Sequence, residues 1–254
     1  DVPDAVPVLV TQDHMQKAAI KLNGSGGPGC TDSVALQKWL LEFGKESQAL
    51  REELAHWVNW LANTSPPWAA YQALMACRLV ALDKSPGVRP IGIGEIFRRL
   101  FAKALLLVCG GQATDACGSA NLCAGLPAGV EAALHAIAEE WDAMEPKAPD
   151  PPLGTQPDDV PGTDSTAPVP TGDPMAADSV DRRAVVLIDA RNGFNELSRK
   201  AMLWTVRHRW PAGARFAFNC YRHLALLLIR RPGASCEVLQ SKEGVTQGDP
   251  LSMV

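Results

Sequence analysis

The sequence predicts an α+β fold, helix-rich with a short antiparallel sheet, and three observations predict it. Apolar residues recur at three- and four-residue spacings through the first part of the chain. Two short runs on either side of Ser85-Pro86-Gly87 change to strand-like composition. Further on, Ala184-Val185-Val186-Leu187-Ile188 is a continuous apolar run rich in β-branched residues, the composition of a strand buried on both faces.

Taken in order, Val34 to Phe43 and Glu46 to Ala62 place Leu36, Trp39, Leu40, Leu50, Leu54, Trp57, Val58 and Leu61 on helical faces, with Gly44 separating the two helices. Ser65 before Pro66-Pro67 signals a helix start for Trp68 to Cys77, because a first-turn amide has no partner to lose. Leu79 to Leu82 and Val88 to Ile93 then read as two strands joined by a hairpin-like loop. Helical patterns resume at Glu95 to Val108 and Val130 to Trp141. After the apolar run ending at Asp189, Ser198 can cap a helix from Arg199 to Arg209 that Pro211 stops, and Ala214 to Leu226 can form another. A hairpin around Arg231-Pro232-Gly233 leads to a strand from Cys236 to Ser241. The last stretch, Gly244-Val245-Thr246-Gln247-Gly248-Asp249-Pro250, is a turn-rich loop that can open a final helix.

At 254 residues and 46% hydrophobic, the chain can bury a real core. No run approaches the roughly 18 consecutive apolar residues that cross a bilayer, and the N-terminus lacks the basic-then-apolar layout of a secretory signal, which argues against a membrane partner and against export. Seven cysteines without a CxxC pair fit neither a disulfide framework nor a common zinc site. Reduced thiols in an intracellular setting follow, with nucleus and cytoplasm not separated. The chain opens at Asp1 and stops at Leu251-Ser252-Met253-Val254 without a helix-ending signal, so it reads as a fragment.

Charge is unevenly placed. Residues 144–180 hold seven acids against Lys147, a net of −6, with nine prolines and no aromatic residue. That composition cannot bury enough surface to offset chain entropy and reads as a disordered insertion. Loop-closure entropy grows slowly with length, so the parts on either side can share one core. Residues 181–231 hold eleven Lys or Arg against three acids, a net of +8 that can attract phosphates despite the overall −4.

A carboxylate at the end of a buried strand places a hard oxygen ligand at the mouth of a cleft, where Mg²⁺ prefers carboxylate plus substrate phosphate. Asp189 has that layout, although strand-terminal aspartates are also ordinary turn formers and caps. The string is Asp189-Ala190-Arg191-Asn192-Gly193-Phe194-Asn195, and Gln247-Gly248-Asp249-Pro250-Leu251-Ser252 follows some way on. Read alone, Phe194 is more simply a core aromatic, and Gly248 is also ordinary turn chemistry.

Together these strings resemble the reverse transcriptases of non-LTR retrotransposons, with a more distant likeness to those of group II introns. The first is similar to the family's motif A, which implies metal binding at Asp189 and a steric gate at Phe194 against a 2′-hydroxyl. The second is similar to motif B, which implies that Gln247 and Gly248 shape the nucleotide pocket and touch the template. Upstream, Lys84-Ser85-Pro86-Gly87-Val88-Arg89-Pro90-Ile91-Gly92-Ile93 resembles the fingers hairpin whose basic residues grip a triphosphate, implying that role for Lys84 and Arg89. Gly125-Leu126-Pro127-Ala128-Gly129-Val130-Glu131 looks like the loop and helix between fingers and motif A. The likeness covers roughly Leu79 to Val254, apart from the insertion.

What the resemblance implies is a right-hand polymerase in part: residues 1–78 a helical N-terminal region, 79–143 fingers, 144–180 the insertion, and 181–254 a partial palm whose sheet includes strands 184–189 and 236–241. The implied activity is RNA-templated DNA synthesis from deoxynucleoside triphosphates, with two Mg²⁺ ions in the complete enzyme and an RNA template and DNA primer as partners. The sequence departs from the family in one respect. The aromatic-x-Asp-Asp hairpin of motif C, which supplies further metal ligands, has no counterpart after Asp189, and Asp158-Asp159 lies too early and among prolines. The C-terminal palm and thumb are likewise missing, so the chain is expected to be inactive alone. Three other readings stand beside this one. The first is a non-catalytic nucleic-acid-binding remnant in which Arg182, Arg183, Arg191, Arg199, Lys200, Arg207 and Arg209 hold phosphates. The second is a structural helical protein, and the third another palm-type polymerase.

Overall fold

The computed structural model describes residues 4–118, 121, 128–143, 186–188, 192–231, 233, 235–246 and 249–253. The chain divides into two units, Asp1–Gly129 with Ala190–Val254, and Val130–Asp189. The insertion expected at 144–180 lies outside the described residues.

The first unit starts with an extended segment that borrows its hydrogen bonds from a helix. Val10 N–H donates to Asn59 Oδ1 at 2.7 Å while Asn59 Nδ2 donates to Val10 O at 2.8 Å. Asn63 repeats the exchange with Val8 at 2.8 Å in both directions. Two asparagines four apart lie on one helical face, so their amides act as a rung-by-rung substitute for a strand partner. Val8 and Val10 are thereby buried.

Helix α1 (Gln12–Ile20) follows, then α2 (Ser33–Leu41), whose cap Asp32 accepts the Ala35 amide at 2.9 Å, and α3 (Gly44–Asn63). Gly44 adopts φ +55° between α2 and α3, the separating role read from sequence. Leu54, Ala55, Val58, Leu61 and Ala62 form the buried stripe of α3. The helix expected over Trp68 to Cys77 is replaced by two short 3₁₀ turns, Trp68–Ala70 and Gln72–Met75. Here the chain must turn into a strand by Cys77, and the tighter turns bury Tyr71 edge-on against Trp60 and Trp68.

Strands β1 (Cys77–Asp83) and β2 (Val88–Gly94) form the expected hairpin. Helix α4 (Ile96–Cys117) runs past the expected end at Val108 and through Gly110-Gly111, because its far half still buries Cys109 and Ala113. It is long and apolar enough to cross a membrane by length and composition. Within this unit it is the central core helix, with Ile96, Leu100, Phe101, Ala104 and Leu105 fully buried.

After residue 190 come the short α6 (Gly193–Glu196) and α7 (Arg199–Arg209), which Ser198 caps. Pro211 stops α7 as expected and also opens α8 (Pro211–Tyr221) from its first turn. The helix expected to reach Leu226 ends at Tyr221, and Ala225–Ile229 is strand β3, paired in turn with β4 (Glu237–Ser241). Leucine suits either state in isolation. The exposed edge of β1 decides it, since Cys77 and Arg78 pair with Leu227 and Leu228.

The sheet order is β2-β1-β3-β4, with β1 and β3 parallel and the outer pairs antiparallel. It is a mixed sheet joining the two hairpins, where a short antiparallel palm sheet was expected. The second unit is described over α5 (Gly129–Asp142) and residues 186–188. Val186, Leu187 and Ile188 belong to the expected palm strand 184–189, yet they are 77%, 89% and 90% exposed and join no ladder. A short apolar run has the composition of a buried strand whether or not a free strand edge is there to receive it.

Candidate functional site

Lys84 opens the β1–β2 turn, its N–H donating to Gly87 O at 2.9 Å, while Gly87 takes φ +90° after a cis Ser85–Pro86 bond. Arg89 sits near the tip on β2, opposite Leu82. Residues 81 to 90 are all exposed, so both cations are free to meet an anion. The two-residue alternation of strands places Arg89 on the sheet face shared with Arg78, opposite to the Cys77 and Gly92 face.

On the Cys77 face the base of the hairpin meets the C-terminal loop. Thr246 Oγ1 lies 3.7 Å from Cys77 Sγ, and Thr246 Cγ2 lies 3.5 Å from where a Cβ would stand at Gly92. One residue earlier, Val245 N–H donates to Phe194 O at 2.6 Å, and Gly244 N–H donates to Leu197 O at 2.8 Å. Gly244 holds φ +73°, and a Cβ there would overlap the Phe194 carbonyl oxygen. Only glycine allows this approach. Three strings far apart in sequence, 77–92, 193–197 and 244–246, therefore meet at one place.

Arg199 fastens that junction. Its Nε donates to Gly244 O at 2.8 Å, Nη1 to the carbonyls of His223 and Ser241 at 3.1 and 3.0 Å, and Nη2 to Ser241 Oγ at 2.7 Å. The Arg199 amide donates to Glu243 Oε2 at 2.7 Å. Burial pulls this guanidinium below the ordinary arginine value. The phosphate-holding role that the remnant reading gives Arg199 does not fit this placement: it is 7% exposed, and its Nε, Nη1 and Nη2 donate to backbone carbonyls and to Ser241 Oγ.

The same loop is anchored a second time at Asp249. Its side chain forms an ion pair with Arg98 of α4, both side chains being 4% exposed. Tyr221 OH donates to the same Oδ2 at 2.9 Å, and Asp249 Oδ1 accepts the Leu251 amide at 3.0 Å. The Arg98 guanidinium also lies 5.0 Å from the Tyr221 ring centroid. Burial is the largest influence and pulls the Arg98 value down, but Asp249 together with Tyr221, Cys220 and Cys77 outweighs it and holds the group above the ordinary range. Burial, reinforced by Asp249, pushes the Tyr221 hydroxyl well up.

Phe194 contributes its backbone carbonyl to the junction, and the residue is 43% exposed. Asp189, Gln247 and Gly248 lie outside the described residues. Among the described residues no group of three His, Cys, Asp or Glu side chains converges. Of the carboxylates at this junction, Asp249 is engaged by Arg98 and Tyr221, and Glu243 accepts the Arg199 amide. Sequence reasoning missed Arg98, Thr246 and Asp249. The one local signal was an arginine falling on the buried stripe of a helix, between Ile96 and Leu100.

No protein-family model and no curated protein matches this chain.

Proposed function

We propose that this chain carries the fingers and the front of the palm of a reverse transcriptase of non-LTR retrotransposon type, a part of an RNA-directed DNA polymerase. The observation that supports the reading is the junction itself. The backbone of Phe194 pairs with Val245, and the adjoining Thr246 packs on the base of the basic hairpin, so the string holding Phe194, the run leading into Gln247 and the hairpin string are neighbours in space.

In this reading Lys84, as a point charge, and Arg89, as a bidentate fork, hold the triphosphate, Arg89 reaching it around the exposed hairpin tip from the face opposite to the junction. The ring of Phe194 leaves no space for a 2′-hydroxyl and so favours deoxynucleotides. Gln247 and Gly248 shape the pocket and touch the template strand. Asp189 is the carboxylate that would bind Mg²⁺, which when bound neutralises charge on the transferring phosphates. The Arg98–Asp249 pair and Arg199 hold the pocket loop at fixed height against the sheet.

The sequence has no Asp-Asp pair after Asp189, so the chain alone is expected not to extend a primer on an RNA template. It should still bind deoxynucleoside triphosphate. Lys84→Ala and Arg89→Ala should each weaken that binding roughly three- to tenfold, and Phe194→Ala should narrow the preference for deoxy over ribo forms. Nucleotide affinity indifferent to all three substitutions would overturn the reading. So would primer extension by the purified chain that survives Asp189→Ala.

A further inference from the structure

Beside the hairpin lies a cavity of about 640 Å³ whose lining, among the described residues, includes two arginines and no acid. Arg78 on β1 and Arg230 just past β3 both line it, with Val80, Leu228, Pro28 and Cys236 among its walls. The register explains the convergence. Arg78 pairs with Leu228, and Arg230 follows Leu228 by two, so both arginines leave the same sheet face. Strand spacing and rise put their Cα atoms about 8 Å apart, within reach of one shared anion.

Arg78 is only half-buried, but its Nε is buried and has no hydrogen-bond partner. Neither arginine forms an ion pair among the described residues. The nearby carboxylates are otherwise engaged: Glu237 pairs with Arg231 at 3.2 Å, and Glu95 accepts the Gly29 amide. The remaining wall is aliphatic, suited to the flat face of a base, and two guanidinium groups without a carboxylate suit a phosphate.

We propose that this cavity is a binding site for a phosphate-bearing nucleotide unit, either free or within a single strand, held by Arg78 and Arg230. The site stands on charge and cavity alone, whether or not the chain belongs to a polymerase. It uses neither Lys84 nor Phe194, so it can fail while the polymerase reading survives, and the reverse.

The test measures binding of a labelled single-stranded oligonucleotide, and separately of free dTTP, to the whole chain and to Arg78→Gln, Arg230→Gln and the double variant. Each single change should weaken binding roughly fivefold and the double more than tenfold, and each should lower the slope of log affinity against log salt by about one. Loss with both probes assigns a mononucleotide site, and loss with the oligonucleotide alone assigns a strand site. A double variant that binds both probes within twofold of the parent chain overturns the proposal. A local readout guards against misfolded variants: bound probe should slow alkylation of the exposed Cys30 and Cys236, which line the cavity, at least fivefold in the unmodified chain. Unchanged rates at both thiols under saturating probe also overturn it.

Discussion

Asp249 and Arg98, 151 residues apart in sequence, form a buried ion pair whose carboxylate oxygen is shared with Tyr221. Two charges withdrawn from water are tolerated only because each satisfies the other. Asp249→Asn leaves Arg98 buried without a countercharge and should cost about 3–5 kcal/mol of stability. The double variant Arg98→Met with Asp249→Leu should come within about 2 kcal/mol of the parent. Urea denaturation of the single and double variants checks both numbers, and a harmless single substitution would show that the pair does not anchor the loop.

Gly244 stands where the loop turns under Phe194. Its left-handed φ and the Phe194 carbonyl, which occupies the space a β-carbon would need, leave no room for a side chain. Gly244→Ala should destabilise the chain by about 2–4 kcal/mol through backbone strain and displacement of the 193–197 turn. Thermal melting of the variant measures it. A loss under about 0.5 kcal/mol, the usual range for a surface change, contradicts the geometry.

Arg199 is tested as a structural clasp against its being a phosphate contact. Arg199→Gln should lower the melting temperature, because several carbonyls lose a charged donor. It should leave the salt slope of nucleic-acid binding unchanged, since the guanidinium makes no phosphate contact. Exposed Lys200 offers the comparison: Lys200→Gln should leave the melting temperature unmoved.

Two buried thiols set an alkaline limit. Burial pushes Cys220 from 9.0 up to about 12 and Cys109 up to about 11. A folded value above the unfolded one means that the fold prefers the protonated thiol. Its contribution is complete below pH 9 and is lost as pH rises through 11 and 12. Stability should therefore fall above pH 9 by up to about 1.4 kcal/mol per pH unit for each thiol. Melting temperatures from pH 8 to 10.5 test the slope, which Cys220→Ala should make shallower.

The hairpin, α2, α3 and α7 could be read from sequence because their signals are local. Glycine and proline punctuate the β1–β2 turn, Gly44 separates two helical stripes, and Ser198 caps α7. The parallel pairing of β1 with β3 could not, since no spacing within either strand names a partner so far along the chain. The same limit hid the anchors of the candidate site. Arg199 and Asp249 look like solvent-facing charges until a distant partner is known, and Arg98 shows only that it falls on a buried stripe. Phe194 was singled out from its string, and its 43% exposure is what a core aromatic would not show.

The pairing of Cys77 with Leu227 has a consequence during synthesis. About 150 residues separate the partners, so a ribosome adding roughly 5–20 residues per second leaves β1 without its second neighbour for about eight to thirty seconds. Through that interval the nascent hairpin presents an open edge beside an apolar helix, the situation that invites chaperone capture or mispairing between chains.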